Sequence, residues 1–238
     1  MVDFTGGTWR SLIDGEEVSA IPDSGLKHEY FAQDETHDDQ STGEQFTDQI
    51  GDITLSAEGE PLFDFNGLDG SKSFVYDGTD DGHNATSSWL SGDGEEYTVA
   101  VVCRYDAVNT NNDQWLVGSD GGDRGMDFRE RDGNLQYSHG GEFNTDIFTV
   151  NEDEPFIIIG SYNGSEAFAD VNDTTELDGF SGGYQEEDNG SSIGYSRAAS
   201  SHYLDGAVGH VLWYDEFYDS DGRSDIFNAL NSIWGIVD

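Results

Sequence analysis

The segments "YTVAVVCRY" (97–105), "PFIIIGSY" (155–162) and "AVGHVLWY" (207–214) are apolar runs of eight or nine residues, each interrupted soon afterwards by Asn, Asp, Gly or Ser. Runs this short, broken this often, are incompatible with a helical bundle and read as strands joined by tight turns. Shorter alternations at 114–118, 125–129, 134–138, 166–171 and 191–195 continue the pattern. The connections between them, such as "RDGN", "YNGS" and "SGGYQEEDNGSS", are rich in residues that tolerate turn geometry. "MDFRERDGNLQYS" and "IIIGSYNGSEAFADV" read as hairpins with Asp-Gly and Asn-Gly turns. With 31 Gly but only 3 Pro in 238 residues, the expected class is all-β: a two-sheet antiparallel sandwich.

One segment has the other period. In "SDIFNALNSIW", Phe227, Leu230, Ile233 and Trp234 follow Ile226 at spacings of one, four, seven and eight. That places them on one helix face, with Ser224 as the expected N-cap and Gly235 as the stop. Together with the strand before it, this helix is expected to close the sandwich by burying its apolar side against structure made earlier.

The first 25 residues differ from the rest. "TWRSLIDGEEVSAIP" alternates across an Asp14-Gly15 turn and reads as a separate hairpin ending at Pro22. An isolated two-stranded hairpin is marginal in water, so it must pack on something else, either the main domain or a neighbouring subunit. The expected organisation is an anchoring arm over 1–25, with Phe4, Trp9, Leu12, Ile13, Val18 and Ile21 as its contact residues, then one domain over 26–238.

Fifty acidic residues face nine basic ones, only two of them lysines (Lys27 and Lys72), for a formal charge of -41. Self-repulsion at that density destabilises a compact state in dilute buffer. In molar salt the Debye length falls to about 3 Å and the repulsion is largely screened. The acids lie along the whole length, which points to a protein that works in brine. The same field excludes nucleic acid as a partner, because phosphate contacts need clustered Lys and Arg. High charge does not imply disorder here, since 14 Phe, 11 Tyr and 5 Trp supply a large apolar payload. The single cysteine, Cys103, excludes an intramolecular disulfide and reads as a small buried hydrophobe. No signal-peptide pattern or apolar membrane span is read, so export by the general secretory route and membrane insertion are not expected.

Three stretches in order carry a resemblance. "FTDQIGDITLSAEGEPLFDFNGLDGSKSFVYDGTDDG" (46–82), with Asp48, Gly51, Pro61, Asn66, Gly67, Gly70, Tyr76, Asp77, Gly78, Asp80 and Asp81 as the matching positions, is followed by "EYTVAVVCRY" (96–105). "IGYSRAASSHYLDGAVGHVLWYDEFYDSDGRSDIFNALNSIWGI" (193–236) completes the set. Taken together they resemble the concanavalin A-like, laminin-G-like jelly-roll superfamily found in viral and microbial surface proteins. His210 and Asn231-Ser232-Ile233 depart from its pattern, and residues 1–25 fall outside it. The resemblance implies two antiparallel sheets with Greek-key connections, a fold that serves sugar binding, adhesion, virion structure and hydrolysis alike.

Function must then come from sites. Glucanase relatives of that fold align three carboxylates along one strand. "TTELDGF", "YDEFYDSD" and "YQEEDNG" each fail that test, and no nucleophile elbow, HExxH or P-loop is present. The chain is therefore expected not to be an enzyme. Asp77, Asp80 and Asp81 in "YDGTDDGHN" crowd oxygens on a turn, which suits Ca²⁺, or else Asp77 caps the turn and the others are solvated. Trp89, Tyr184 and Tyr203, with His139, Asn189 and His202 nearby, combine aromatic faces with hydrogen-bonding groups as sugar sites do. Trp115, Trp213 and Trp234 are assigned to the core.

These readings combine into one expectation. The chain is a virion surface subunit (decoration, turret or spike) of a virus of a halophilic archaeon, homo-oligomeric, held to other virion proteins by its arm and contacting host surface glycans. A carbohydrate-binding or adhesion domain of a haloarchaeal surface protein is the alternative, and a glycan hydrolase a third.

Overall fold

The computed structural model describes residues 12–13, 16–17, 20–90, 95–108, 113–119, 126–139, 142–181, 190–196 and 202–237; of residues 12–13, 16–17 and 142–146 only the backbone is described. The strands, in chain order, begin with β1 (Leu12–Ile13), β2 (Glu16–Glu17), β3 (Leu26–Phe31), β4 (Ser41–Thr42) and β5 (Gln45–Phe46). Next come β6 (Leu55–Glu58), β7 (Leu62–Leu68), β8 (Ser71–Asp77), β9 (Gly82–Ala85) and β10 (Tyr97–Tyr105). The second half holds β11 (Gln114–Ser119), β12 (Met126–Arg131), β13 (Asn134–His139), β14 (Glu142–Thr149) and β15 (Phe156–Tyr162). Last are β16 (Glu166–Val171), β17 (Thr174–Ser181), β18 (Ser191–Ile193), β19 (Asp205–Tyr214) and the helix α1 (Ser220–Trp234).

The strands form two antiparallel sheets, as the alternation requires. One is ordered β17-β16-β15-β10-β19-β8-β7-β4, with β3 also paired to β19; the other is ordered β14-β13-β12-β11-β18-β9-β6-β5. Turn chemistry sets the registers. At the β12–β13 corner Asp132 and Gly133 both take positive φ (54° and 82°), the geometry of a two-residue hairpin turn that the Asp-Gly pair adopts at little cost. At the β15–β16 corner the Asn163 carboxamide oxygen accepts from the Ser165 and Glu166 amides at 3.0 and 2.8 Å.

The inner faces enclose the main core, in which Tyr30, Phe46, Phe63, Phe74, Phe128 and Trp213 are almost wholly buried. Cys103 lies there too, its thiol pushed up by burial. A second core lies on the outside of the nine-stranded sheet. There Ile226, Phe227, Leu230 and Trp234 of α1 pack on Ala100, Val102, Ile157, Ile159 and Leu212. Each such side chain contributes about 1.5–3 kcal/mol on leaving water. The helix starts a turn earlier than its apolar period indicates. Asp219, not Ser224, is the cap, its carboxylate accepting from the Gly222 amide at 3.0 Å. Gly235 ends the helix in the left-handed region (φ 64°), as expected.

Two polar devices fasten α1. Arg223 is 3% exposed and forks onto Asp170 (2.6 and 3.3 Å), with a third bond to Ser161 Oγ at 3.1 Å. His210 takes Glu29 Oε1 at 2.9 Å on Nε2, while its Nδ1 accepts from Trp234 Nε1 at 3.4 Å. Because the indole can only donate, Nδ1 carries no proton and Nε2–H points at Glu29. Beside this pair β19 bulges: Val102 faces His210 and Cys103 faces Val208, leaving Gly209 as the extra residue. A Cβ at Gly209 would lie 2.2 Å from the Trp234 ring, so only glycine lets the indole lie against the strand.

The late apolar stretch thus does more than cap the sandwich. β19 runs through the middle of its sheet, pairing β10 on one side and β8 and then β3 on the other. The expected N-terminal hairpin is present as Leu12↔Glu17 and Ile13↔Glu16 pairs. Phe4, Trp9 and Val18 lie outside the described residues. Ile21, assigned above to the arm, packs on the helix-side core of the main domain, as does Leu26.

Candidate functional site

The outside of the eight-stranded sheet is built differently. Its strands carry polar residues at period two, "DFRER" in β12 and "LQYSH" in β13, while the alternate residues Phe128, Leu135 and Tyr137 fill the core. Cross-strand pairing puts Ser192, Gly118, Asp127 and Ser138 in one row across four strands. Trp115, Arg129 and Gln136 form the next row. A bulge between Trp115 and Val117 makes this possible, turning the indole outward while Leu116 and Val117 stay in the core.

Gly118 keeps the strand bare where these rows meet. A Cβ there would lie 3.4 Å from the Asp127 Cβ and 3.8 Å from the Trp115 ring, so indole and carboxylate flank a spot without a side chain. Trp115 is 5% exposed and Ser138 wholly buried, yet neither Trp115 Nε1 nor Ser138 Oγ has a hydrogen-bond partner among the described residues. A buried donor without a partner costs about 1–3 kcal/mol, so such groups mark places where water or a ligand completes the bonding. Arg129 is oriented by Gln136 Oε1 (3.1 Å) and Asp113 Oδ2 (2.5 Å), and Arg131 reaches the other Asp113 oxygen at 3.4 Å.

Aromatic rings border this face. His202 stacks on Trp115 (centroids 6.5 Å, planes 16° apart), and its backbone oxygen accepts from the Trp115 amide at 3.0 Å. Tyr203 stacks on Tyr195 (5.5 Å, 13°), which lies against Gly82 of β9. His202 and Tyr203 are half-buried. Burial raises the Tyr203 phenol, and Glu58 and Asp80 nearby push it the same way.

The sequence-predicted sugar residues divide accordingly. His202 and Tyr203 come together on this face. Trp89 does not: it is 6% exposed, donates from Nε1 to Tyr30 Oη at 3.0 Å, and packs on Trp213 inside the sandwich. His139 is also inside, its Nδ1 2.8 Å from Tyr97 Oη and its ring against Tyr162, with burial lowering its pKa to about 4. His139 ends β13 and Trp89 lies in the bend after β9, and both side chains turn inward, which composition alone does not reveal. Tyr184 and Asn189 lie outside the described residues. Trp115, assigned to the core, is buried as expected (5% exposed) but on the outer side of its sheet, not between the sheets. Tyr195, Asp127, Arg129, Gln136 and Ser138 were missed, although the polar period in β12 and β13 was there to be read.

At the other candidate site, ligand atoms of Asp77, Asp80 and Asp81 lie within 4.8 Å of one another. Asp77 Oδ1 accepts from the Thr79 amide at 2.8 Å, and Asp81 Oδ1 from the Glu60 amide at 2.7 Å. Burial raises the Asp81 pKa, with Asp77 and Asp80 adding to the rise. The turn is thus held by capping bonds, and its remaining oxygens are of the kind Ca²⁺ takes. Among the described residues no helix is long and apolar enough to cross a membrane.

Neither a protein-family model nor a curated protein matches the sequence. Solved structures do match the fold. A Trypanosoma rangeli sialidase in complex with sialic acid aligns at TM-score 0.63 and 10% identity, over 93% of this chain and 36% of the sialidase. The binding domain of Paraclostridial Mosquitocidal Protein 1 aligns at TM-score 0.65 and 13% identity, over 87% and 52%. Domain 4 of AbnA, a GH43 extracellular arabinanase from Geobacillus stearothermophilus, in complex with arabinotriose, aligns at 0.58 and 12%, over 85% of this chain and 98% of that domain. The chain spans about a third of the sialidases' length. The expectation that it is not an enzyme is overturned by these neighbours, since sialidases and a domain of an arabinanase share its architecture. At these identities the likeness is one of fold: a β-sandwich similar to those of glycan-processing and glycan-binding proteins.

Proposed function

We propose that the chain is a glycan-binding β-sandwich module whose sugar site is the outer face of the eight-stranded sheet. One observation carries this: Trp115, whose indole N–H has no partner among the described residues, lies beside bare Gly118 in a field of polar side chains, where an aromatic ring and fixed hydrogen-bonders meet as sugar recognition requires. The arabinotriose held by the AbnA domain supports the same reading. A glycan array probed with the intact protein in molar salt tests it. Binding is expected, and Trp115→Phe, which removes only the N–H and part of the ring, weakens it about tenfold. A protein that is folded but binds no glycan refutes the reading.

The finer setting rests on composition and on the resemblance to viral surface proteins. The acid coat fits a protein at work in brine, and we read the module as a homo-oligomeric virion surface subunit of a virus of a halophilic archaeon. Its partners are then host glycans and, through the N-terminal segment, other virion proteins. A melting temperature that rises with salt to the molar range, and mass spectrometry that finds the chain in purified virions, are the expected results. Virions without it end that part of the proposal.

A further inference from the structure

The charges around the outer face point to the class of sugar it takes. An anionic sugar, whether a uronate or a sialate, is held by cations that can turn a fork toward its carboxylate. Here the cations among the described residues are Arg129 and Arg131, and both are drawn onto the single Asp113 carboxylate. Arg129 is further fixed by Gln136. Turning either toward a ligand would strip Asp113 of a partner. The remaining charges are negative: Asp127 is wholly buried beside Gly118 and Trp115, while Glu58 and Asp80 act on Tyr203. A ligand carboxylate on this face meets like charge at close range, where salt screens least.

The neutral hydrogen-bonders fit a different ligand. Ser138 Oγ, Trp115 Nε1 and the flanking rings offer hydroxyl-scale bonds and apolar faces. We infer that the site selects uncharged sugar residues and rejects carboxylated ones, with Asp113 acting as a specificity-determining residue by holding Arg129 and Arg131 away from ligand anions. This inference rests on the glycan-binding reading above.

The test uses the full chain in one molar-salt buffer and matched probes: lactose against sialyllactose, and galactose oligomers against oligogalacturonate. Neutral members are expected to bind about tenfold or more tighter than their anionic counterparts. Asp113→Asn, which removes the anion that Arg129 and Arg131 share while keeping a hydrogen-bond acceptor, is expected to narrow that ratio chiefly by improving anionic binding. Melting curves establish that the variant is folded. If it is not, Arg131→Gln, which removes the more exposed cation, is expected to leave the ratio unchanged or wider. Anionic probes binding as tightly as neutral ones overturn the charge selection while leaving glycan recognition intact. No binding by any probe overturns both.

Discussion

The sandwich has two outer faces, and they are finished in opposite ways. On the nine-stranded sheet the outside is apolar and α1 seals it, with Arg223 paired to Asp170 and the His210 Nε2–H bonded to Glu29. On the eight-stranded sheet the outside is polar, and buried donors at Trp115 and Ser138 have no partner among the described residues. Among the described residues, buried hydroxyls without a partner occur on the sealed side too, at Tyr214 and Ser73. The contrast therefore lies in what each face is made of: packed apolar side chains on one, interlocked polar side chains on the other. Sugar recognition needs hydrogen-bonding groups beside aromatic rings, and the two meet on the polar side, which is why function is assigned there.

The largest test of this contrast is to remove the seal. Deleting residues 224–238 takes away Ile226, Phe227, Leu230 and Trp234 together, and insoluble or non-cooperatively melting protein is the expected result. A soluble truncation with a sharp melt would mean that the helix is an accessory. Next in size is Arg223→Ala, which leaves Asp170 buried without its cation and should cost about 3–5 kcal/mol by denaturant titration. The mirror experiment on the other face, Ser138→Ala, removes a hydroxyl without a partner among the described residues. It should change stability by less than about 1 kcal/mol while weakening glycan binding. If stability falls and binding holds, the two faces do not differ as argued.

Acid probes the interior that both faces share. His83 is wholly buried between Tyr76 Oη (3.0 Å) and Gly43 O (2.9 Å), and burial lowers its pKa from 6.5 to about 4. The folded state therefore holds this proton less tightly than the unfolded chain does. Stability is intact above pH 6.5, falls as pH drops toward 4, and levels off below that. This one residue accounts for up to about 3 kcal/mol of the loss. Melting temperature against pH should show that slope, and His83→Gln should reduce it, leaving the share that His139, lowered to about 4 in the same way, contributes.

The smallest expected effect is at the acidic turn. Adding Ca²⁺ at fixed ionic strength should raise the melting temperature by a few degrees, and Asp80→Asn should abolish the shift. No shift would leave Asp77 and Asp81 with their capping bonds as their whole role.

How far the sequence discloses this contrast follows from period and exposure. β10, β15, β16 and the hairpin corners are legible because one or both faces of each strand are strongly apolar. β17, "TTELDGFS", is not, since an edge strand with mostly exposed polar residues carries no apolar signal. The helix face is legible, but its start is not, because Ser220–Arg223 lie before the apolar period begins. The site is the harder part. Trp115 sits in "QWLVG", where one bulge reverses which residues face inward, and no periodicity announces a bulge. Trp89 looks like a loop aromatic, yet its amide lies 2.8 Å from Ser191 Oγ, a partner 102 positions away that local pattern cannot show.

The fit of the Trp234 ring against Gly209 carries a consequence for motion. Sliding α1 along the sheet by a turn would carry the indole off Gly209 and onto the side chains beside it on β19. Docking is therefore keyed like a ratchet with a single tooth, so the tail engages fully or lets go, with no intermediate stop.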